Sequence, residues 1–282
     1  MPAQLTVIAP KRAAEQVMIV DQSTYLIGRA ANNDIVIAEP SVSRQHARLR
    51  YEERLWVMND LNSVNGLRSN GIQQQCCFLE HGAVVLVGNV PVLFKNIEVQ
   101  HLQQQLQYDK WRKSQVMKLQ QQSSKAPQSD ITEFLTQALT LCQMERAAVL
   151  LGNDLASLKL YSSCGVSKTA REDSNFFGSL GALQMAMGGE ALITNDISQH
   201  QALSQRASVK LKQLSALACF PLICQGQLLG LFYIDSQQPT KFLSTVDAEL
   251  LQTLVDNISL NLFSQQIDQQ LQYIAVNSRQ FN

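Results

Sequence analysis

The chain of 282 residues carries no excess of either charge: 23 Lys and Arg balance 23 Asp and Glu. It therefore lacks the basic footprint of a general nucleic-acid binder, and no nucleic-acid partner is expected. Charged residues are scarce at 16%, against about 25% in ordinary proteins. Gln, present 35 times, fills much of that gap. No apolar run approaches the roughly 18 residues of a membrane-spanning helix, so no membrane association is expected. The stretch Met1-Pro2-Ala3-Gln4-Leu5-Thr6-Val7 has no basic region ahead of an apolar one, which argues against a secretory signal and for a cytoplasmic protein. The six Cys are scattered, apart from the adjacent Cys76-Cys77, and read as reduced thiols rather than a disulfide framework. What is present is 45% hydrophobic residues, enough for real cores. The length accommodates one large domain or two ordinary ones.

Texture divides the chain. Residues 1–99 hold nine basic and nine acidic side chains, residues 100–125 five and one, and residues 126–282 nine and thirteen. Between Gln100 and Gln128, ten of 29 residues are Gln. The spacing of Leu102, Leu106, Trp111, Val116 and Leu119 predicts a short polar helix there, its basic residues forming a solvated face. Ser123-Ser124-Lys125-Ala126-Pro127 breaks it. The organisation expected is a first domain over 1–99, a Gln-rich helical linker over 100–128, a second domain over 129–264, and an extension of the last helix over 265–282.

Before residue 100, short alternating strands recur at about ten-residue intervals, which predicts an all-β sandwich. Eight are expected: Leu5–Ile8, Gln16–Val20, Thr24–Ile27, Asp34–Ile37, Ala47–Tyr51, Leu55–Met58, Ala83–Val87 and Val90–Phe94. Four polar segments follow strand ends, where loops on a rigid scaffold carry binding residues. They are Ile27-Gly28-Arg29, Asn32-Asn33-Asp34-Ile35-Val36, Val42-Ser43-Arg44-Gln45-His46-Ala47, and Asp60-Leu61-Asn62-Ser63-Val64-Asn65-Gly66 followed by Asn70-Gly71. They offer two guanidiniums, a hydroxyl and an amide, with no carboxylate pair, metal-ligand cluster or nucleophile–base pair. Arginine forks with hydroxyl support suit a phosphate dianion. The plainer alternatives are an Arg29–Asp34 surface pair and a Ser43 turn hydroxyl.

The order and spacing of these segments resemble a forkhead-associated (FHA) domain over roughly residues 5–97. The resemblance implies a β-sandwich that binds phosphothreonine peptides through loops at one end. It implies that Arg29 and Ser43 hold the phosphate, that Arg44 assists, and that Asn65 bonds the peptide backbone. Gly28, His46 and Gly66 shape the site. Val64 stands where many members have Thr or Ser, which implies one lost hydroxyl contact and weaker binding.

After residue 128 the texture is mixed. Asp130-Ile131-Thr132-Glu133 and Ser244-Thr245-Val246-Asp247 read as helix-starting capping boxes. Ala147–Leu151 and Leu158–Tyr161 read as strands, Phe176–Met187 as a helix, and Leu217–Ile223 with Gln227–Ile234 as a hairpin turning at Gln225-Gly226. The last helix carries Leu250, Leu251, Leu254, Ile258, Leu262, Ile267, Leu271 and Ile274, a stripe that outruns a compact domain. Residues 130–265 resemble a GAF domain, most clearly at Ser215–Leu222 and Leu229–Asp235, with Ile193–Ile197 ahead of them. This implies helices packed on an antiparallel sheet. Many members bind a small molecule, and many others only dimerise; the sequence leaves both open. The ligand set of cyclic-nucleotide-binding members is absent, since Phe242 and Asp247 are too common to count. Cys142, Cys164, Cys219 and Cys224 match no zinc spacing and read as core or surface thiols. His200 as a metal ligand has little support, and no metal or cofactor is expected.

The fold class expected is multidomain: an all-β FHA sandwich followed by an α+β GAF domain with flanking signalling helices. The pair resembles the N-terminal regulatory half of bacterial FHA–GAF signalling proteins. No P-loop, metal-binding carboxylate set or nucleophilic elbow appears, so no enzyme is expected. The expected partners are a phosphothreonine protein made by a Ser/Thr kinase, a second copy of the chain along Leu262, Ile267, Leu271 and Ile274, and an unknown small molecule if the GAF domain senses one. The alternatives are a regulatory subunit or remnant of a nucleotide cyclase, and a scaffold without phosphopeptide binding.

Overall fold

The computed structural model describes residues 2–20, 24–122, 130–166, 176–195, 214–238 and 241–278. It comprises two compact units, Met1–Lys110 and Trp111–Asn282. The predicted break at residues 123–127, and Asp196, Ile197 and His200, lie outside the described residues.

The first unit is a sandwich of two sheets. One has the order β2 (Glu15–Ile19), β1 (Ala3–Val7), β11 (Val90–Asn96), β10 (Val84–Val87), β7 (Leu67–Ser69), β8 (Ile72–Gln74). The other runs β4 (Ile35–Val36), β3 (Thr24–Gly28), β5 (Ala47–Glu52), β6 (Leu55–Asp60), β9 (Cys76–Leu79). All pairings are antiparallel except β3 with β4. Alternation decides which side chains face inward. On β5, Ala47 and Leu49 are buried in the core while Arg48 is exposed and Arg50 half-buried. Leu5, Ile19, Ile27, Met58, Leu67 and Phe94 fill the space between the sheets, each contributing about 1.5–3 kcal/mol by leaving water.

The eight expected strands are present within two or three residues at their ends. Three more, β7 to β9, fill Leu67–Leu79, which the sequence pattern left as loop. Strand β8 is exposed along its whole length, so it has no alternation to read. The turn before it, Asn70-Gly71, takes positive φ at both residues (52° and 78°), the signature of a type I′ hairpin.

The second unit is a five-stranded antiparallel sheet in the order β13 (Lys159–Cys164), β12 (Arg146–Leu151), β16 (Gln227–Ser236), β15 (Ala216–Cys224), β14 (Leu192–Thr194). Both faces are covered. Ala147, Val149, Ala218, Phe220, Phe232 and Ile234 face α2 (Ile131–Cys142) and α4 (Thr245–Ser278). Ala148, Leu150, Leu217, Cys219, Leu231 and Tyr233 face the side of α3 (Leu180–Ala186). Burial on both faces makes these strands read as continuous apolar runs. The expected hairpin turns at Gln225-Gly226, again with both φ positive (51° and 75°). Helix α1 (Val99–Gln122) occupies the Gln-rich stretch, and the division between the units falls inside it.

Three expectations need correction. Helix α3 starts at Leu180 rather than Phe176, because the Ser179 hydroxyl caps it by accepting from Ala182 N at 3.3 Å. Phe176 and Phe177 instead pack on the Tyr233 ring. Leu262 belongs to the unit's own core at 7% exposure, so it is not part of an outer seam. Arg112 is no part of a solvated face: it is buried and paired with Asp247.

Asp247 organises the start of α4. Its Oδ2 accepts from Ser244 N at 2.6 Å and Oγ at 2.7 Å, while Ser244 Oγ accepts from Asp247 N at 3.3 Å. This is the reciprocal capping box expected from the sequence. Its Oδ1 receives Nη2 of Arg112. Removing one partner of a buried pair strands the other charge, at a cost of about 3–5 kcal/mol. Asp247→Ala should therefore lower the stability of the second unit by about that much. Urea unfolding followed through Trp111 in a Trp56→Phe background measures this, and an unchanged midpoint would show that the pair contributes nothing.

Candidate functional site

The predicted site residues gather at one end of the sandwich, on the β3–β4, β4–β5 and β6–β7 loops. Gly28 ends β3, where a Cβ would come 2.4 Å from the Arg44 carbonyl oxygen and 2.9 Å from Asn33 Nδ2. Only glycine lets the two loops approach this closely. Arg29 N then donates to Ser43 O at 2.9 Å, and Ala30 N to Arg44 O at 3.1 Å. Asn33, a residue the sequence marked without giving it a role, donates through Nδ2 to Ala30 O and Arg44 O, both at 2.7 Å.

His46 is fully buried at the centre. Its Nδ1 accepts from Ser43 N at 3.0 Å, so the ring proton sits on Nε2. Nε2 lies 3.0 Å from both Gly66 O and Ser63 Oγ. Ser63 Oγ also donates to Asp60 Oδ1 at 2.5 Å and accepts from Gly66 N at 3.0 Å. Serine, histidine and aspartate thus meet, but not as a catalytic triad. In a triad the carboxylate orients the imidazole Nδ1–H. Here Asp60 holds the serine and Nδ1 holds a main-chain amide. Ser63 and Asp60 lie in a segment the sequence marked, again without a role for either; the Asp-x-x-Ser spacing was their only further signal.

The exposed groups are held but not used up. Arg29 donates through Nε to Val42 O at 3.2 Å, which orients its guanidinium. Its two terminal nitrogens meet no acceptor among the described residues, and the Arg29–Asp34 pair does not form. Asp34 instead accepts from Leu26 N at 2.7 Å. Ser43 Oγ accepts from Val64 N at 3.0 Å, which leaves its proton available to donate. Arg44 is exposed beside it. Asn65 donates through Nδ2 to Ser41 O at 2.7 Å, leaving its carbonyl oxygen to accept. Gly66 has φ of 69° and lies against Gln73, where a Cβ would collide with Nε2 at 2.5 Å. Val64 points outward at 89% exposure, and its main-chain N–H is the part that the site uses. The arrangement presents two guanidiniums, one hydroxyl donor and one amide acceptor to solvent. Forked guanidiniums with a hydroxyl donor are groups suited to a tetrahedral anion.

The second unit presents a different picture. Arg146 donates through Nε and Nη2 to Asp235 at 2.7 and 2.8 Å, and its guanidinium lies 5.2 Å from the Phe177 ring centroid. Tyr233 OH donates to Asp235 Oδ2 at 2.8 Å and accepts from Ser179 N at 3.1 Å. Burial first, then the Asp235 charge, push the Tyr233 hydroxyl well above its ordinary pKa, so it stays neutral. Asn195 exchanges two bonds with the Leu243 main chain, at 3.0 and 2.5 Å. These groups hold the fold together. Asp247 is likewise engaged in its cap and ion pair. Burial raises the thiols of Cys142 and Cys219, which fits core cysteines. No cluster able to hold a metal ion occurs among the described residues, and none of their helices is long and apolar enough to cross a membrane.

Family comparison matches residues 25–88 to the FHA domain and residues 128–262 to the GAF domain. The chain therefore carries an FHA domain followed by a GAF domain. Among characterised proteins it is 41% identical over 68 residues to an ABC transporter ATP-binding/permease protein of Mycobacterium tuberculosis, covering 24% of this chain and 8% of that protein. It is 29% identical over 96 residues to an oxoglutarate dehydrogenase inhibitor of Corynebacterium efficiens, covering 33% of this chain and 68% of the relative. It is also 29% identical to the glycogen accumulation regulator GarA of Mycolicibacterium smegmatis, covering 33% of this chain and 61% of the relative. The crystal structure of the FHA domain of a Chlamydia trachomatis protein is 26% identical, with a TM-score of 0.32, covering 35% of this chain and 100% of the other.

His46→Ala removes the acceptor for Ser43 N and the donor to Gly66 O. Buried groups left without partners cost about 1–3 kcal/mol each. The variant should lose about 2–4 kcal/mol in a urea melt followed through Trp56. Full stability would show that the three loops hold together without the imidazole.

Proposed function

We propose that the protein is a non-catalytic, cytoplasmic signalling regulator whose FHA domain binds a phosphothreonine on a partner protein. The convergence of Arg29, Ser43 and Asn65, with donors and an acceptor still available, carries the reading. Arg29 and Ser43 take the phosphate oxygens, Arg44 adds charge, and Asn65 accepts from the peptide main chain. The names of the inhibitor and regulator relatives support a role in controlling other proteins. A titration with phosphothreonine peptides, with phosphoserine and unphosphorylated controls, tests it. Arg29→Ala should weaken binding at least about tenfold, since each hydrogen bond to a charged group contributes about 1.5–3 kcal/mol. Equal affinity in the folded variant would reject the site, and no binding by the parent protein would favour a scaffold.

The GAF domain serves, in this proposal, to pair two copies. Ile267, Leu271 and Ile274 on α4 are 39%, 58% and 62% exposed, and Leu260 precedes them at 47%. Spacings of seven, four and three residues place the four on one helical seam. Two linked sites also raise avidity for a doubly phosphorylated target. Light scattering at micromolar concentration should give twice the chain mass of 31.4 kDa. The double variant Ile267→Lys, Leu271→Lys should give a folded monomer, and a monomeric parent protein would overturn the pairing.

A further inference from the structure

The Asn70-Gly71 pair is a motif that the recognition site leaves unused. The chain contains two Asn-Gly pairs, this one and Asn65-Gly66, five residues apart. Such a pair carries its own reaction. The glycine main-chain nitrogen attacks the asparagine side-chain carbonyl carbon and an N–C bond forms. The glycine's amide proton departs with the side-chain nitrogen as ammonia, which leaves a five-membered imide. Water opens the imide at either carbonyl, giving aspartate or isoaspartate. Glycine favours the step because no Cβ obstructs the approach to its nitrogen. The attack needs a glycine N–H that is not engaged and an asparagine side chain that is free to turn.

The two pairs meet these needs differently. At Asn65 the side-chain nitrogen is tied to Ser41 O at 2.7 Å, and Gly66 N donates to Ser63 Oγ at 3.0 Å. Gly66 is buried, and Ser63 is itself fixed by Asp60. Both reacting groups are therefore held by bonds that must break first. The Asn62-Ser63 link is treated alike, since Ser63 N donates to Asp60 Oδ2 at 3.2 Å. At Asn70 nothing corresponds. Asn70 and Gly71 are exposed, and a Cβ on Gly71 would meet no atom within 4 Å. Neither the Asn70 side chain nor Gly71 N has a hydrogen-bond partner among the described residues. The turn is also easily opened. It closes a hairpin whose outer strand, β8, has three residues, is exposed throughout and pairs on one side only. Short, exposed elements of this kind open at low free-energy cost.

We propose that Asn70 is a site of spontaneous deamidation in the folded chain and that Ser63 shields Asn65 from the same reaction. The modification places a carboxylate at the tip of the β7–β8 hairpin. Its isoaspartate form also adds a main-chain carbon to a two-residue turn, whose type I′ geometry fixes how β7 pairs with β8. At Asn65 the same exchange would replace the donor to Ser41 O with a carboxylate, which only accepts. Two acceptors would then face each other, and the loop would lose the bond that positions the side chain. The shield preserves that donor whatever the site binds.

The test incubates the full chain in mildly alkaline buffer, with and without denaturing urea, and then digests it with trypsin. Cleavage after Arg68 puts Asn65 and Asn70 in separate peptides, whose aspartate and isoaspartate products are resolved by chromatography and mass spectrometry. In the folded chain Asn70 should convert at least about tenfold faster than Asn65, because two hydrogen bonds hold the latter back. In urea the two should convert at similar rates. Ser63→Ala should raise the Asn65 rate about three- to tenfold and leave Asn70 unchanged, whereas Ser63→Thr, which keeps the hydroxyl, should not raise it. If Ser63→Ala does not fold, hydrogen exchange in the parent chain decides the point: the Gly66 amide should be protected and the Gly71 amide not. Equal rates in the folded chain, an unreactive Asn70, or an Asn65 rate unmoved in folded Ser63→Ala would each overturn the proposal. So would an unprotected Gly66 amide. These rates are read without a ligand, so failure of the phosphopeptide reading appears separately, as absent peptide binding.

Discussion

A buried neutral imidazole carries the recognition end of the molecule. His46 accepts from the Ser43 amide on one nitrogen and donates towards Gly66 and Ser63 from the other. The β4–β5 and β6–β7 loops therefore meet through one ring. The Arg29 loop joins the assembly through main-chain bonds, which the missing side chain of Gly28 permits. The ring must be an acceptor at one nitrogen and a donor at the other, and neutral histidine is the one side chain offering both across a planar ring. The exposed groups inherit their positions from this framework. Arg29 and Asn65 each use one donor to anchor themselves, so their remaining polar groups are held in place by the fold. Pre-ordering of this kind lowers the entropy cost of any binding.

The FHA sandwich was largely legible in the sequence because strands such as β5 and β10 are buried on one face, so alternation survives there. The site residues were legible for another reason. Their order follows loops at successive strand ends, and the family resemblance supplied their roles. What escaped were groups whose meaning depends on folding. Ser63 and Asp60 look like turn residues until His46 is placed beside them. Strand β8 has no inward face to betray it.

The second unit shows the same limit more sharply. Strands β12, β15 and β16 are covered on both faces, so they are largely apolar runs in the sequence, with no alternation to tell one face from the other. The capping box at Ser244 and Asp247 was visible, but not its second use. Arg112 lies 135 residues from Asp247 in sequence, and no local pattern connects them. Counting charges made the linker basic and suggested solvation. The buried pair reverses that for Arg112.

This pair also separates the two halves of α4. Its first turns are tied to Arg112, and its buried apolar residues, Leu250 to Leu262 with exposed Leu260 excepted, serve the core of the unit. Beyond that point the helix keeps its apolar spacing and loses its cover. A helix has little stability in water without an apolar face to bury. The exposed Ile267, Leu271 and Ile274 thus leave a requirement that the described part of one chain does not meet.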